Sequence, residues 1–160
     1  MKSMDLDMTY TITTSKPEET SKLGYRIGQL CRGGETIELV SDLGGGKTVF
    51  TQGLAKGLGY KGEVSSPTFV ISRDYDLPRG LSLHHFDMYR ISNGDMVAME
   101  LAEFISDPKS ITAVEWASNV SNVLPEERIT VRLKPVGEND REVEVITTPQ
   151  YDYILKGLKQ

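Results

Sequence analysis

Lys47 and Thr48 follow Gly44, Gly45 and Gly46 at the end of an apolar run, Ile37, Leu39 and Val40, and these residue types in this order suit the holding of phosphate. A glycine-rich turn between a strand and a helix aims several backbone N–H groups, and the positive end of the helix dipole, into one concavity. There a lysine ammonium reaches the terminal phosphates of a polyphosphate and a threonine hydroxyl ligates magnesium. Two carboxylates stand where they could complete the chemistry. Asp87 follows Leu83 to Phe86, and Glu115 follows Ile111 to Val114. In open α/β sheets ligands lie beyond the carboxyl ends of the strands, so both acids reach the loop if their strands run parallel to the one preceding it. Phosphoryl transfer needs a cradle, a divalent cation and an acid that holds the cation or orients the attacking group. Lys47, Asp87 and Glu115 are therefore the candidate catalytic residues, with Thr48, Glu115 and Asp87 the candidates for the metal.

The phosphate-loop pattern asks for glycine, four further residues and then Gly-Lys-Ser/Thr, and Ser41 stands at the first glycine. A residue with a Cβ is costly at that point only if its φ must be positive. The phosphate donors come later, from Gly44 to Thr48, so binding is expected to survive the departure.

The elements that must carry these groups can be read from periodicity. Met8 to Thr13 alternates as a strand, and Ser15-Lys16-Pro17-Glu18 reads as a capping box opening a helix. That helix buries Leu23, Ile27, Leu30 and Cys31 and stops at Gly33-Gly34. Thr36 to Val40 is the strand that feeds the loop, and a helix runs from the loop to about Leu58. Phe69 to Tyr75 and Leu81 to Phe86, separated by the turn signal Pro78-Arg79-Gly80, are predicted as a hairpin. A hairpin at this point breaks plain strand–helix alternation, so the sheet should be mixed. A helix after Asp95, a strand from Ile111 to Val114, a hairpin of Arg128–Lys134 with Glu142–Thr147, and a terminal helix from Tyr151 complete the chain. The expectation is an α/β fold of one domain over residues 1–160, with residues 1–7 a loose lead-in.

With 160 residues and a net charge of −5, acids and bases interspersed, the chain is not built to grip a nucleic-acid backbone unaided. One cysteine excludes an internal disulfide and suits a reducing cytoplasm. No stretch approaches the length of an apolar membrane span. Cys31 with His84 and His85 makes a poor zinc site, and both histidines are read as packing or hydrogen-bonding residues.

Taken together, Asp42-Leu43-Gly44-Gly45-Gly46-Lys47-Thr48, Ser66-Pro67-Thr68, His85-Phe86-Asp87-Met88-Tyr89-Arg90, Val114-Glu115-Trp116 and Leu124-Pro125 closely resemble the bacterial TsaE family, also called YjeE. The resemblance covers roughly residues 10 to 147. It implies a P-loop NTPase fold with a mixed, mainly parallel central sheet flanked by helices and a C-terminal β-hairpin. It also implies a small ATPase needed for threonylcarbamoyladenosine in tRNA, working with the partners TsaD and TsaB, which carry out the transfer and meet the tRNA. Carried over by residue, Asp42, Leu43, Gly44, Gly45, Gly46, Lys47 and Thr48 would bind ATP, with Thr48 and Glu115 on magnesium. Asp87 would be a switch-type acid near the γ-phosphate, Thr68 would lie in a first switch, and Trp116 would border the site. Thr14 and Ser15 would lie near the base, and Arg141 close to the nucleotide. The family usually has glycine at the position of Ser41 and a small residue such as alanine at Gly45.

Two other functions stay open at this stage. A small-molecule kinase would use Asp87 as base, and a nucleotide-responsive binding subunit would hydrolyse ATP only incidentally. No Asn-Lys-x-Asp element is present to read guanine. Arg90 is available as an arginine supplied in cis.

Overall fold

The computed structural model describes residues 8–42 and 46–160. The lead-in expected over residues 1–7 and the loop positions Leu43, Gly44 and Gly45 lie outside the described residues. In chain order the elements are β1 (Thr9–Thr14), α1 (Pro17–Leu30), β2 (Thr36–Val40), α2 (Lys47–Gly57), β3 (Ser72–Asp76), β4 (Ser82–Asp87), α3 (Met96–Ile105), β5 (Ser110–Glu115), β6 (Ile129–Pro135), β7 (Arg141–Thr147) and α4 (Asp152–Leu158).

Among the described residues seven strands form one sheet in the order β1-β7-β6-β2-β5-β4-β3. The centre is parallel: β2 lies between β5 and β6, and β4 pairs parallel with β5. Antiparallel pairing at the edges, β3 with β4, β6 with β7 and β7 with β1, makes the sheet mixed, as the two hairpins require. Because β2, β4 and β5 run the same way, Val40, Asp87 and Glu115 end their strands on the same side of the sheet.

Side chains alternate across these central strands, and the alternation sorts the acids. Leu39, Leu83, Ile111 and Ala113 join the core beneath α1 and α2, whereas Phe86 and Val114 pack with Ala98 and Leu101 of α3. By the period of two, His85, Asp87 and Glu115 therefore point to the α1–α2 face, and His84 to the α3 face. His84 does stack on Phe104 of α3, with ring centroids 3.6 Å apart.

Helices α1 and α2 approach closely enough that a Cβ at Gly24 would strike the Phe50 carbonyl and one at Gly53 the Ser21 carbonyl. Gly28 and Gly57 make equivalent contacts, so two glycine pairs spaced by four residues lock the helices backbone to backbone. This contact fixes the axis of α2, and with it the position of Lys47 at its first residue.

Three local expectations need correction. Lys16, not Ser15, caps α1 and makes no side-chain cap bond; Glu19, not Glu18, reaches back to the Ser15 N–H at 2.6 Å. Pro17 starts the helix one residue later than the capping box implied, which shifts the reciprocal acid by one. Cys31 is buried just past the last turn of α1 rather than on its face. The strand predicted from Phe69 begins only at Ser72, because Thr68 to Val70 turn over Pro67 and Ile71 takes a left-handed φ of 73°. Phe69 is left 91% exposed, so its aromatic character was a poor guide to strand.

Candidate functional site

Helix α2 opens at Gly46, whose φ of 103° lies in the left-handed region where glycine carries no penalty. The first-turn N–H groups of such a helix have no intrahelical partner and face whatever lies beyond its start. What lies beyond is a cavity of about 510 Å³ lined by Gly46, Lys47, Thr48, Asp87, Glu115 and Trp116, with Ser66, Thr68, Tyr89 and Arg90 at its other side. Its size lies within the range of small-molecule sites.

Lys47 is only 9% exposed. Its Nζ donates to the Ser41 carbonyl at 3.3 Å, lies 3.7 Å from Glu115 Oε1 and sits 5.3 Å from the centre of the Trp116 ring. The other Glu115 oxygen, Oε2, accepts from His85 Nε2 at 2.8 Å. Asp87 stands opposite Glu115 in the β4–β5 register. Its Oδ1 accepts the Tyr89 N–H at 3.0 Å, and its own N–H donates to the Ile71 carbonyl. Two carboxylates on adjacent strands repel one another, and a cation or ammonium between them relieves that repulsion. Backbone strain clusters here as well, since Ile71 and Trp116 are two of the three described non-glycine residues with positive φ. Each costs on the order of 1–3 kcal/mol and persists where the surroundings hold it in place.

The loop bearing Thr68 is latched to the segment after β4. Arg90 Nη2 donates to the Thr68 carbonyl at 2.8 Å, and the Thr68 and Ser66 hydroxyls lie 2.7 Å apart. Asn119 holds the Met88 and Tyr89 carbonyls at 2.9 and 3.1 Å. Tyr89 meets the Trp116 ring edge-on at 4.9 Å.

Gly46, Lys47, Thr48, Thr68, Asp87, Glu115 and Trp116 thus line one cavity, and so does Arg90, the arginine available in cis. Arg141 lines a second, smaller cavity of about 200 Å³ with Lys16, Pro17, Thr20 and Asn139, and the two cavities share Gly46 and Val49. Thr14 pairs with Arg141 in the β1–β7 register but is buried, its hydroxyl 2.8 Å from that of Thr20. Thr14 and Ser15 are not among the residues lining either cavity; Lys16, Pro17 and Thr20 take that position. Asp42 is exposed on the wall of a neighbouring cleft with Ser41, Trp116 and Lys134. Ser41 is not among the described positive-φ residues, so its Cβ meets no backbone penalty in place of glycine. Leu43, Gly44 and Gly45 lie outside the described residues.

Reading the sequence alone missed the His85–Glu115 bond. The usable signal was that His85 precedes Asp87 by two in a strand, which puts both on one face.

The model of the family described as "Threonylcarbamoyl adenosine biosynthesis protein TsaE" matches residues 14–143. The chain belongs to the TsaE family. Among curated TsaE proteins, that of Streptomyces coelicolor is 41% identical over 130 residues, covering 79% of this chain and 86% of that protein. The TsaE of Bacillus subtilis is 36% identical over 130 residues, covering 81% and 80%. A crystal structure of YdiB from Bacillus subtilis superposes with a TM-score of 0.77 at 30% identity, covering 94% of both chains. The TsaE chain described here therefore has the α/β fold of a phosphate-loop NTPase, with a mixed, mostly parallel sheet. Among its described residues no helix is long and apolar enough to cross a membrane.

The donor set fits a magnesium–polyphosphate. An ammonium, a helix start and a hydroxyl suit phosphate oxygens, and magnesium is commonly held by one or two carboxylates together with the phosphates of a nucleotide.

Proposed function

We propose that this TsaE chain is a magnesium-dependent ATPase subunit in the formation of threonylcarbamoyladenosine in tRNA, and that it drives turnover of a TsaD–TsaB partner complex in the cytoplasm. Its family supports the pathway. The observation that supports the chemistry is the convergence of Lys47 and Thr48 from the start of α2 with Asp87 and Glu115 from two parallel strand ends on one cavity.

In this reading Gly46, Lys47 and the first-turn amides of α2 hold the phosphates, joined by Asp42, Leu43, Gly44 and Gly45 of the loop. Thr48, Glu115 and Asp87 hold the cation, and Arg141 borders the nucleotide from the smaller cavity. When bound, magnesium neutralises charge that builds on the phosphate oxygens. Lys47 is positioned to move from Glu115 and the Ser41 carbonyl towards a phosphate. Asp87, with Oδ1 tied to the Tyr89 N–H, keeps Oδ2 for orienting water or a metal-bound ligand. Trp116 and Tyr89 wall the site and limit bulk water. The tRNA is met through the partners, consistent with the net charge of −5.

The test is ATP hydrolysis by wild type and Lys47→Ala, each with and without TsaD and TsaB. Slow hydrolysis alone, a rise on adding the partners and loss of both in Lys47→Ala are expected. An activating group from a partner can be worth about 10³–10⁵ in rate. Rapid unassisted turnover, or a Lys47→Ala variant as active as wild type, would refute the proposal.

A further inference from the structure

His85 is a fully buried polar ring, and it is only half used. Nε2 lies 2.8 Å from Glu115 Oε2, while Nδ1 has no hydrogen-bond partner. Its sequence neighbour shows the contrast, since His84 bonds through both nitrogens, to Asp74 Oδ1 at 2.8 Å and to Ser110 Oγ at 3.2 Å. A carboxylate can only accept, so Nε2 donates to Glu115, and nothing satisfies Nδ1. An unsatisfied buried polar atom is destabilising, and an aliphatic or phenyl side chain would fill the same volume without that penalty. Packing therefore does not explain an imidazole here.

We infer that His85 is a positioning residue for Glu115. By holding Oε2 it fixes the carboxylate plane and leaves Oε1 facing the cavity, 3.7 Å from Lys47 Nζ. The strand register makes this possible. Ala113 stands opposite His85 and offers only a methyl group, so the ring has room to lean along β5 towards Glu115, two residues further on. Asp87 receives no such bond from His85 and is oriented instead by the Tyr89 N–H. The two acids are thus held by separate donors, Glu115 by a buried side chain that does not itself line the cavity and Asp87 by a backbone N–H.

This inference rests on the proposed magnesium–nucleotide site, and its test reads binding rather than turnover. A fluorescent ADP analogue is bound to wild type, His85→Phe, His85→Gln and His85→Asn in EDTA, and magnesium chloride is then titrated in. Emission from Trp116, the one tryptophan of the chain, reports independently from the same cavity. Phenylalanine keeps the ring and removes the donor; glutamine restores an N–H that reaches Glu115; asparagine carries one that is too short. Losing an outer partner of a metal ligand typically costs about 10–100-fold in metal affinity. The expected result is that His85→Phe and His85→Asn need about 10–100-fold more magnesium for half-saturation, that His85→Gln stays near wild type, and that affinity in EDTA is unchanged in all of them. Should the phenylalanine variant not fold, the glutamine–asparagine comparison decides alone. Magnesium titrations that match wild type, or losses equal in EDTA and magnesium, would overturn the inference and leave His85 a structural residue. A wild-type protein that binds the analogue with no response to magnesium would remove the parent reading as well, a result visible without any His85 variant.

Discussion

Glu115→Gln separates the electrostatic part of this site from its shape. Glutamine keeps the volume and an acceptor for His85 but removes the charge facing Lys47, 3.7 Å away, with both side chains almost fully buried. At that separation, with an effective dielectric constant of about 20, the attraction lost is about 4 kcal/mol. Desolvation of the ammonium and the carboxylate opposes most of it. The bond from His85 also weakens by about 1 kcal/mol when its acceptor becomes neutral. The net expectation is a loss of about 1–3 kcal/mol, or a fall in Tm of about 2–4 °C for each kcal/mol in a chain of this size. Urea denaturation of wild type, Glu115→Gln, Lys47→Met and the double variant measures the coupling directly. A coupling of about 1–2 kcal/mol is expected. A Glu115→Gln variant as stable as wild type, with coupling under about 0.5 kcal/mol, would show that the two side chains do not pair in solution and would refute the geometry on which the site is built.

Gly53→Ala tests the backbone contact that aims α2. Alanine favours helix by close to 1 kcal/mol, but its Cβ would collide with the Ser21 carbonyl. Overpacking of this kind costs about 1–3 kcal/mol, so thermal unfolding should show a lower Tm; a raised Tm would mean that the helices are not in backbone contact. A third prediction concerns alkaline pH. Burial, with the Glu35 carboxylate adding to it, pushes the Cys31 thiol well above the usual thiol range. The unfolded thiol ionises near pH 8.5 while the folded one keeps its proton, so above that pH the unfolded state binds fewer protons and stability falls as pH rises. The slope contributed by this group approaches about 1.4 kcal/mol per pH unit. Cys31→Ala should flatten the dependence of urea midpoint on pH between about 8.5 and 10, and an unchanged slope would contradict the burial argument. Tyr153, whose hydroxyl donates to Glu35, is raised by its own burial and by that carboxylate, and it steepens the loss at still higher pH.

Much of the architecture was legible because local patterns and tertiary demands agree. Short strand runs at Thr36–Val40, Leu81–Phe86 and Ile111–Val114 became β2, β4 and β5 within a residue or so. Tyr151, Ile154, Leu155 and Leu158, spaced for a helix, are all buried. Misreadings fell where a hydrophobic residue serves no core. Phe69 and Val70 look like strand and form an exposed turn, where Ile71 reverses the backbone. The α1–α2 glycine pairs were visible as letters, yet their meaning depends on a neighbour that only folding supplies.

By itself the sequence determined which groups are available: a glycine-rich turn before Lys47 and Thr48, and acids at the ends of two apolar strands. Strand direction, register and face are relations between distant segments, and no local pattern encodes them. Tertiary structure alone decided that β2, β4 and β5 run parallel, that Asp87 stands beside Glu115, and that His85 turns to the carboxylate while His84 turns to α3. The physical reason is that a side chain's partner is set by which backbone lies about five ångströms away in the sheet. That is settled by burying the apolar faces of the whole chain at once.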